Sequence, residues 1–443
     1  MYICQFLVYF VKYRNNRVMK RVYLDYAATT PVRKEVVRAM IPFFDIQFGN
    51  PGSLHSFGQE AMGAVDGARE HVADLFGVEF RNILFCGSAT EANNLAIRGI
   101  VNNWKGGEKP RIIISSIEHE SILETARVLE REKRIELILL DVDENGIVLL
   151  DELKRSLNQN TALVSIMYVN NEVGSIQPIK EISRIISDFK NSLKIRNLPA
   201  GRQGSKFEIN NSFPLFHVDS VQAFSYFNCF LDTLGVDLLT VSAHKCGGPK
   251  GIGILAVSNI FSDFKNSLKI RNLPAGRQGS KFEINNSSPL TPIITGGGQE
   301  FGLRSGTENV QNIVGCAEAL IIADKNRKKE SVRVELLRKH FVKNFLKLFP
   351  ESVVNGAGTH SPHIVNMQLN EMNREEFLTQ ADLLGVALSS GSACSARAHS
   401  ASHVLSAMYK GDEKKMNGVR ASFGYSTTSK DIDEAFKRFS RVF

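Results

Sequence analysis

Two apolar runs in this chain end in side chains of complementary chemistry. Lys245 closes Val241-Ser242-Ala243-His244-Lys245, directly after Val236-Asp237-Leu238-Leu239-Thr240. Asp219 closes Phe216-His217-Val218-Asp219 and is followed by Ser220-Val221-Gln222. A lysine amine can hold an aldehyde as a Schiff base, and a carboxylate can keep a ring nitrogen protonated. A lysine after an apolar strand is ordinarily a solvated strand end, and an aspartate there ordinarily caps the next helix. The company of His244, Gln222 and the segments below sets this pair apart. Two strand-like segments deliver both groups to one edge of a sheet, which is what pyridoxal 5'-phosphate requires.

Other segments supply what such a cofactor needs. Gly87-Ser88-Ala89-Thr90-Glu91-Ala92-Asn93 places small residues between a strand and a helix start, where exposed amides and the positive end of the helix dipole make a phosphate cradle. Gly296-Gly297-Gly298-Gln299-Glu300 leads into Gly302-Leu303-Arg304-Ser305-Gly306-Thr307, in which Arg304, Ser305 and Thr307 could bind an anion. Cys394 lies in Ser389-Ser390-Gly391-Ser392-Ala393-Cys394-Ser395-Ala396. A run of small residues packs poorly, so it reads as a mobile loop exposing a travelling nucleophile, whereas cysteine is ordinarily a small buried hydrophobe. No comparable segment surrounds the other cysteines.

These side chains need a scaffold. Strand-like runs at Ile83–Cys86, Arg111–Ser115, Leu137–Asp141, Ala162–Met167, Leu215–Val218 and Leu238–Val241 alternate with helical patterns. Continuous apolar strands separated by helices predict a mostly parallel sheet covered on both faces. Ligands of such sheets bind beyond the carboxyl ends of the strands. Ser88, Thr90, His119, Asn170, Asn171, Asp219, Gln222, His244 and Lys245 all collect there. After about residue 325 a charged helix, Lys325 to Phe349, and a compact α+β stretch predict a smaller second domain. The expected organisation is an extension over 1–18, a large domain over 33–325, and a small domain built from 19–32 with 326–443.

At 443 residues and 43% hydrophobic content the chain can bury such a core. Its six cysteines have no CxxC spacing, which argues against a disulfide framework or a zinc site and for a reducing cytoplasm. No apolar run reaches transmembrane length, and residues 1–18 have the wrong charge order for a signal peptide; Met19 begins a more ordinary start. The net charge of +8 suggests nucleic acid only superficially. Ser187–Ser212 recurs letter for letter as Ser262–Ser287, each copy carries +3, and the N-terminal tail adds +3, so the remainder is near neutral. No specific nucleic-acid partner follows. The copies, inserts over 187–212 and 262–287, read as surface loops with a weak hairpin between Leu193–Ile195 and Phe207–Ile209.

Taken together, Tyr23-Leu24-Asp25-Tyr26-Ala27-Ala28-Thr29-Thr30-Pro31, Phe48-Gly49-Asn50-Pro51, Ala89-Thr90-Glu91, Val169-Asn170-Asn171-Glu172, His217-Val218-Asp219, Ser242-Ala243-His244-Lys245, Arg304-Ser305-Gly306-Thr307 and Ser390-Gly391-Ser392-Ala393-Cys394 closely resemble the cysteine desulfurases. The resemblance spans residues 20 to about 435, the inserts excluded. It implies an aspartate-aminotransferase-like, pyridoxal-phosphate-dependent transferase fold and conversion of L-cysteine to L-alanine, with sulfur held on the enzyme as a persulfide for iron–sulfur assembly or tRNA thiolation. It makes Lys245 the cofactor lysine, Asp219 the ring-nitrogen partner, and Gln222 and Asn171 contacts near the phenolic oxygen. Ala89, Thr90, Ser242 and His244 would hold the phosphate, with Thr307 reaching it from the second subunit of a homodimer. His119 would stack on the ring and move protons, Arg420 would clamp the substrate carboxylate, and Cys394 would accept the sulfur. Alternatives are a selenocysteine lyase, another aminotransferase of the same fold, or a non-catalytic assembly scaffold.

Overall fold

Short runs dense in Ile, Leu, Val and Phe suit strands covered on both sides, and here they form the main sheet. The computed structural model describes residues 20–196, 213–259, 289–370, 372–391 and 402–443. Its strands are β1 Val22–Tyr23, β2 Ile83–Cys86, β3 Arg111–Ser115, β4 Glu136–Leu140, β5 Thr161–Ser165, β6 Leu215–Asp219, β7 Leu238–Ser242, β8 Gly253–Val257, β9 Val353–Asn355, β10 Ile364–Gln368, β11 Val386–Ala387 and β12 Gly418–Ser422. Seven form one sheet in the order β2-β8-β7-β6-β5-β3-β4. All run parallel except β8, which is antiparallel to both β2 and β7.

Alternation along each strand builds two cores. Ile113, Val164 and Leu239 face one layer of helices. Their neighbours Ile112, Ile114, Leu163 and Leu238 face the other. The edge strand β4 departs from the expected two-sided burial, since Glu136 and Leu139 are exposed. The antiparallel β8 was not expected. Its five residues sit between Gly251-Ile252 and the second insert, and a short apolar run does not announce its direction.

A second sheet, β12-β10-β9, is antiparallel, and β1 pairs with β11 in parallel, Val22 opposite Val386. Val22 and Leu24 join Phe341, Phe345, Phe377, Phe436 and Phe439 in a separate core. The helix expected from Lys325 is longer: one helix runs Val310–Leu348, straight through the expected 325/326 boundary. Its Val310, Ile313, Cys316 and Leu320 pack into the large core, and Val334, Leu337, Phe341 and Phe345 into the small one. A single apolar stripe thus serves both layers, so composition shifts midway while the helix does not break.

The first insert also differs from expectation. Helix Ile179–Arg196 continues through its first ten residues, so Leu193–Ile195 is helical and not a hairpin strand. Ile182, Ile186 and Phe189 keep a helical apolar face against the large core. Lys190 of the insert meets the buried Asp237 carboxylate at 3.3 Å. Residues 207–209 and the second copy lie outside the described residues. Among those described, no helix is long and apolar enough to cross a membrane.

Candidate active site

β2, β3, β5, β6 and β7 are mutually parallel, so their carboxyl ends meet at one edge. Lys245 ends a single 3-10 turn, Ala243–Lys245, directly after β7. The Tyr23–Thr30 segment wraps that turn. Thr30 donates to the His244 carbonyl through both its amide (2.9 Å) and its hydroxyl (2.8 Å), and Gly247 N–H donates to Thr30 Oγ1 at 2.9 Å. Lys245 Nζ donates to the carbonyls of Ala27 (2.5 Å) and Ala28 (2.6 Å). Two backbone carbonyls thereby help hold the amine at the mouth of the site.

Asp219, the last residue of β6, is buried and accepts from Val221 N–H (2.9 Å) and Asn93 Nδ2 (2.9 Å). Asn93 also donates to Ser121 Oγ at 2.9 Å, and Ser121 Oγ lies 2.9 Å from His119 Nδ1. The Ser121 N–H donates to the same Nδ1 at 3.1 Å, making His119 the N-cap of helix Glu120–Arg131. Two donors at Nδ1 leave the imidazole proton on Nε2. Burial holds the His119 pKa below its ordinary value, against the opposing pull of Asp219 and alongside the Lys245 charge. His119 is therefore a neutral ring presenting Nε2–H. The preceding Glu118 is fully buried, accepts from Met167 N–H at 2.8 Å, and is pushed by burial well above the carboxylate range.

The third corner is cationic in effect without a full charge. Helix Ala89–Asn103 starts after N-cap Ser88, whose Oγ accepts from Glu91 N–H, and the first amides of a helix have no intrahelical acceptor. Thr90 is exposed there. Only glycine fits at Gly253 of β8, because a Cβ would stand 2.4 Å from Ser88 C and 2.5 Å from Ala89 N. That close approach sets the helix start against Ser242, which is buried and donates to Ile252 O at 3.4 Å. His244 Nδ1 contacts Thr29 Oγ1 at 3.1 Å, and burial followed by the nearby Lys245 and Lys250 charges lowers its pKa to about 3.

Arg304, expected to bind an anion, has one within the chain: Nε donates to Glu91 Oε1 at 2.7 Å. Its segment turns through Glu300 (φ +47°) and Phe301 (φ +58°), a conformation costing roughly 1–2 kcal/mol per residue for a non-glycine. The buried Arg69 holds that turn with two 2.7 Å hydrogen bonds to Glu300. Thr307, beyond it, is exposed.

Arg420 of β12 is 1% exposed. Nη2 donates to Asp25 Oδ1 and Nη1 to the Asn171 carbonyl, each at 2.7 Å, and Nε has no partner among the described residues. Gln222 is buried and donates to Ala27 O at 3.0 Å.

This chemistry has close parallels. The chain matches the class-V aminotransferase family over residues 22–194 and 208–435. It is 37% identical over 426 residues to "Cysteine desulfurase IscS" of Dictyoglomus turgidum, covering 96% of this chain and 95% of that protein. The protein of the same name from Clostridium botulinum is 36% identical over 428 residues, covering 96% and 94%. The chain belongs to the cysteine desulfurases. A solved "NifS-like protein" superposes with a TM-score of 0.77 at 31% identity, covering 96% of this chain and 99% of that one.

Against that family pattern Cys394 lies outside the described residues, as do 392–401 as a whole. The residues on either side of that segment meet at one side chain. Ser402 Oγ donates to Glu172 Oε2 at 2.5 Å, and a Cβ at Gly391 (φ +143°) would fall 2.6 Å from the same oxygen. Glu172 is fully buried. The described cysteines Cys86, Cys229, Cys246 and Cys316 are all buried, and burial raises each thiol above its ordinary range, Cys246 to about 11 and Cys229 to about 12.

Several groups escaped the sequence reading. Asn93 closes the Gly87–Asn93 motif and ties Asp219 to Ser121. Helical spacing from Ala89 places it on the inward face, and an inward amide is a usable signal. Ser121, Glu118 and Asp25 gave no comparable signal.

Proposed function

We propose that the chain is a pyridoxal-phosphate-dependent desulfurase converting L-cysteine to L-alanine, with the sulfur taken by Cys394. The observation that carries this is Lys245 and Asp219 at the ends of adjacent parallel strands, with Asp219 linked to His119 through Asn93 and Ser121. The donor set fits the cofactor. The first amides at Ala89 and Thr90, with Ser242 and His244, suit a phosphate; Asp219 suits a ring nitrogen; Lys245 suits an aldehyde; His119 suits the ring face; Asn171 and Gln222 suit its oxygen. Bound there, the cofactor supplies an electron sink for bonds at the substrate's α- and β-carbons.

The chain's own groups do the rest. Arg420 is the carboxylate clamp, its guanidinium aimed by Asp25 and Asn171 O and retaining further N–H groups for a planar acid. Lys245, released from the Ala27 and Ala28 carbonyls, moves the α-proton. Cys394 attacks the substrate sulfur: the S–S bond forms, the carbon–sulfur bond breaks, and the electron pair stays on carbon. Cys394 releases its proton to become the attacking thiolate and that carbon takes one up, so the net transfer, for which His119 is the proposed carrier, is thiol proton to alanine methyl.

The test is L-cysteine turnover by the cofactor-loaded protein, read as alanine formed per persulfide sulfur. The pH profile carries a second check. His119 acts as the neutral ring, and burial lowers its pKa, so the acid limb that His119 contributes lies below the ordinary imidazole value of about 6.5. Turnover without alanine, or an acid limb above that value assigned to His119, contradicts this reading.

The partners proposed are L-cysteine, a second copy of the chain, and a sulfur-accepting protein such as an iron–sulfur scaffold, in the cytoplasm. Exposed apolar side chains support the homodimer: Ile41, Phe44 (62%), Ile46, Phe48 (64%) and Leu54 (92%) crowd one stretch of sequence. Patches of that kind mark interfaces. Thr307, exposed in one copy, then reaches the partner's phosphate site. Phe44→Asp with Phe48→Asp is expected to give a monomer by light scattering and to lower turnover at least tenfold. An active monomer of the unaltered chain would overturn the dimer.

A further inference from the structure

His363 stands just before β10 and belongs to no motif of the site, yet it is buried directly behind Gln222. It is 3% exposed, and its ring stacks on Tyr226 with centroids 4.1 Å apart and planes 20° from parallel. Its backbone is fixed as well, the carbonyl accepting from Phe423 N–H at 2.9 Å. Nε2 lies 3.3 Å from Gln222 Oε1, and Nδ1 has no partner among the described residues.

The polarity of this contact follows from the other end of the amide. Gln222 Nε2 donates to Ala27 O, the same carbonyl that accepts from Lys245 Nζ. Gln222 Oε1 therefore faces His363, and an oxygen acceptor there requires a proton on Nε2. The bare nitrogen is then Nδ1, an orphaned acceptor, which structures tolerate better than an orphaned N–H. A second proton is disfavoured: burial, then the Arg420 and Lys245 charges, bring the His363 pKa to about 3. A flipped amide would set oxygen against Ala27 O and nitrogen against an N–H, repelled at both ends.

We infer that His363, as a neutral Nε2–H donor locked by Tyr226, is a positioning residue that, together with the Ala27 carbonyl, holds the orientation of the Gln222 amide so that its remaining N–H is offered to the cofactor. His363 acts through Gln222 and touches neither cofactor nor substrate. The inference rests on the pyridoxal-phosphate reading above.

Two variants and one direct measurement test it. His363→Phe keeps the stacking ring and most of the volume but removes the donor; His363→Gln places an amide N–H near the position of Nε2. The probe is pyridoxal phosphate itself, read by its dissociation constant from the apo-protein and by the visible absorbance band of the loaded protein. His363→Phe is expected to weaken cofactor binding about tenfold, the scale of one hydrogen bond, and to displace the band. It should also lower kcat while leaving KM for cysteine unchanged. His363→Gln is expected to stay within about twofold of wild type with the band in place.

His363→Phe indistinguishable from wild type overturns the inference. So does His363→Gln as impaired as His363→Phe, since a structural role is then sufficient. Should the phenylalanine variant not fold, the ¹⁵N resonances of His363 in the wild-type holoenzyme decide. A neutral Nε2–H tautomer between about pH 6 and 8 supports the inference, and any other state overturns it. A wild-type protein that binds no pyridoxal phosphate sinks the cofactor reading instead, while the tautomer measured in that cofactor-free protein still reports on the His363–Gln222 contact.

Discussion

Lys245→Ala is expected to abolish the covalent attachment of pyridoxal phosphate, with the visible band of the bound cofactor lost, and to lower turnover by at least about 10³-fold. The magnitude follows from removing one group with two duties: a positioned amine for the aldehyde and a proton carrier, the second alone worth about 10²–10⁴. The fold should survive. Lys245 lies at the mouth of the site, half-buried, and donates to the Ala27 and Ala28 carbonyls. Ala27 O keeps its hydrogen bond from Gln222. The Thr30–His244 and Thr30–Gly247 bonds that shape the turn use backbone and Thr30 hydroxyl, not the lysine side chain. A Lys245→Ala protein with a normal melting temperature but no band isolates the amine as the attachment point. If the variant keeps the wild-type band and turnover after dialysis, Lys245 is not that amine.

Why the sequence reading reached Lys245 and Asp219 is physical. Asp219 is the last residue of β6 and Lys245 closes the turn that follows β7, and a charged residue that follows a continuous apolar run comes out at the sheet edge, wherever the rest of the chain goes. Because β6 and β7 run parallel, both come out on the same edge. Asn93 and His363 lacked such a handle. Asn93 meets Asp219 across 126 residues and His363 meets Gln222 across 141, so their chemistry exists only after packing. Arg304 was legible as an anion binder, but its anion is Glu91, 213 residues earlier, and composition does not name a partner. The insert shows the opposite case. Its Asn, Gly and Lys content suggested loop throughout, yet Phe189 and Lys190 follow Ile182 and Ile186 in helical register, and helix Ile179–Arg196 carries on into it because burial outweighs local propensity.

Cys394→Ala is expected to bind cysteine and perturb the cofactor band as wild type does, yet to form no protein persulfide and to lose at least about 10²-fold in alanine formation in the absence of an added thiol. Access and ionisation decide which thiol can act. A nucleophile for the substrate sulfur must be a thiolate at neutral pH. Cys246 is the obvious rival, one residue from Lys245, but it is buried and its pKa is raised to about 11, so roughly one molecule in 10⁴ carries the thiolate at pH 7. Cys86, Cys229 and Cys316 are buried likewise and raised by the same cause. Cys394 differs in its sequence context of small residues, and the ends of its segment, Gly391 and Ser402, converge on Glu172, two residues beyond Asn170 and next to the Asn171 carbonyl that aims Arg420. Cys246→Ala is the control and should retain turnover within about twofold, since a buried methyl-sized change leaves the site intact. Cys394→Ala releasing sulfide at the wild-type rate without reductant would remove Cys394 from the reaction and favour direct elimination. Loss of turnover in Cys246→Ala with Cys394→Ala unaffected would move the acceptor role to the residue beside Lys245, and the proton delivered to the alanine methyl would then come from a thiol inside the core.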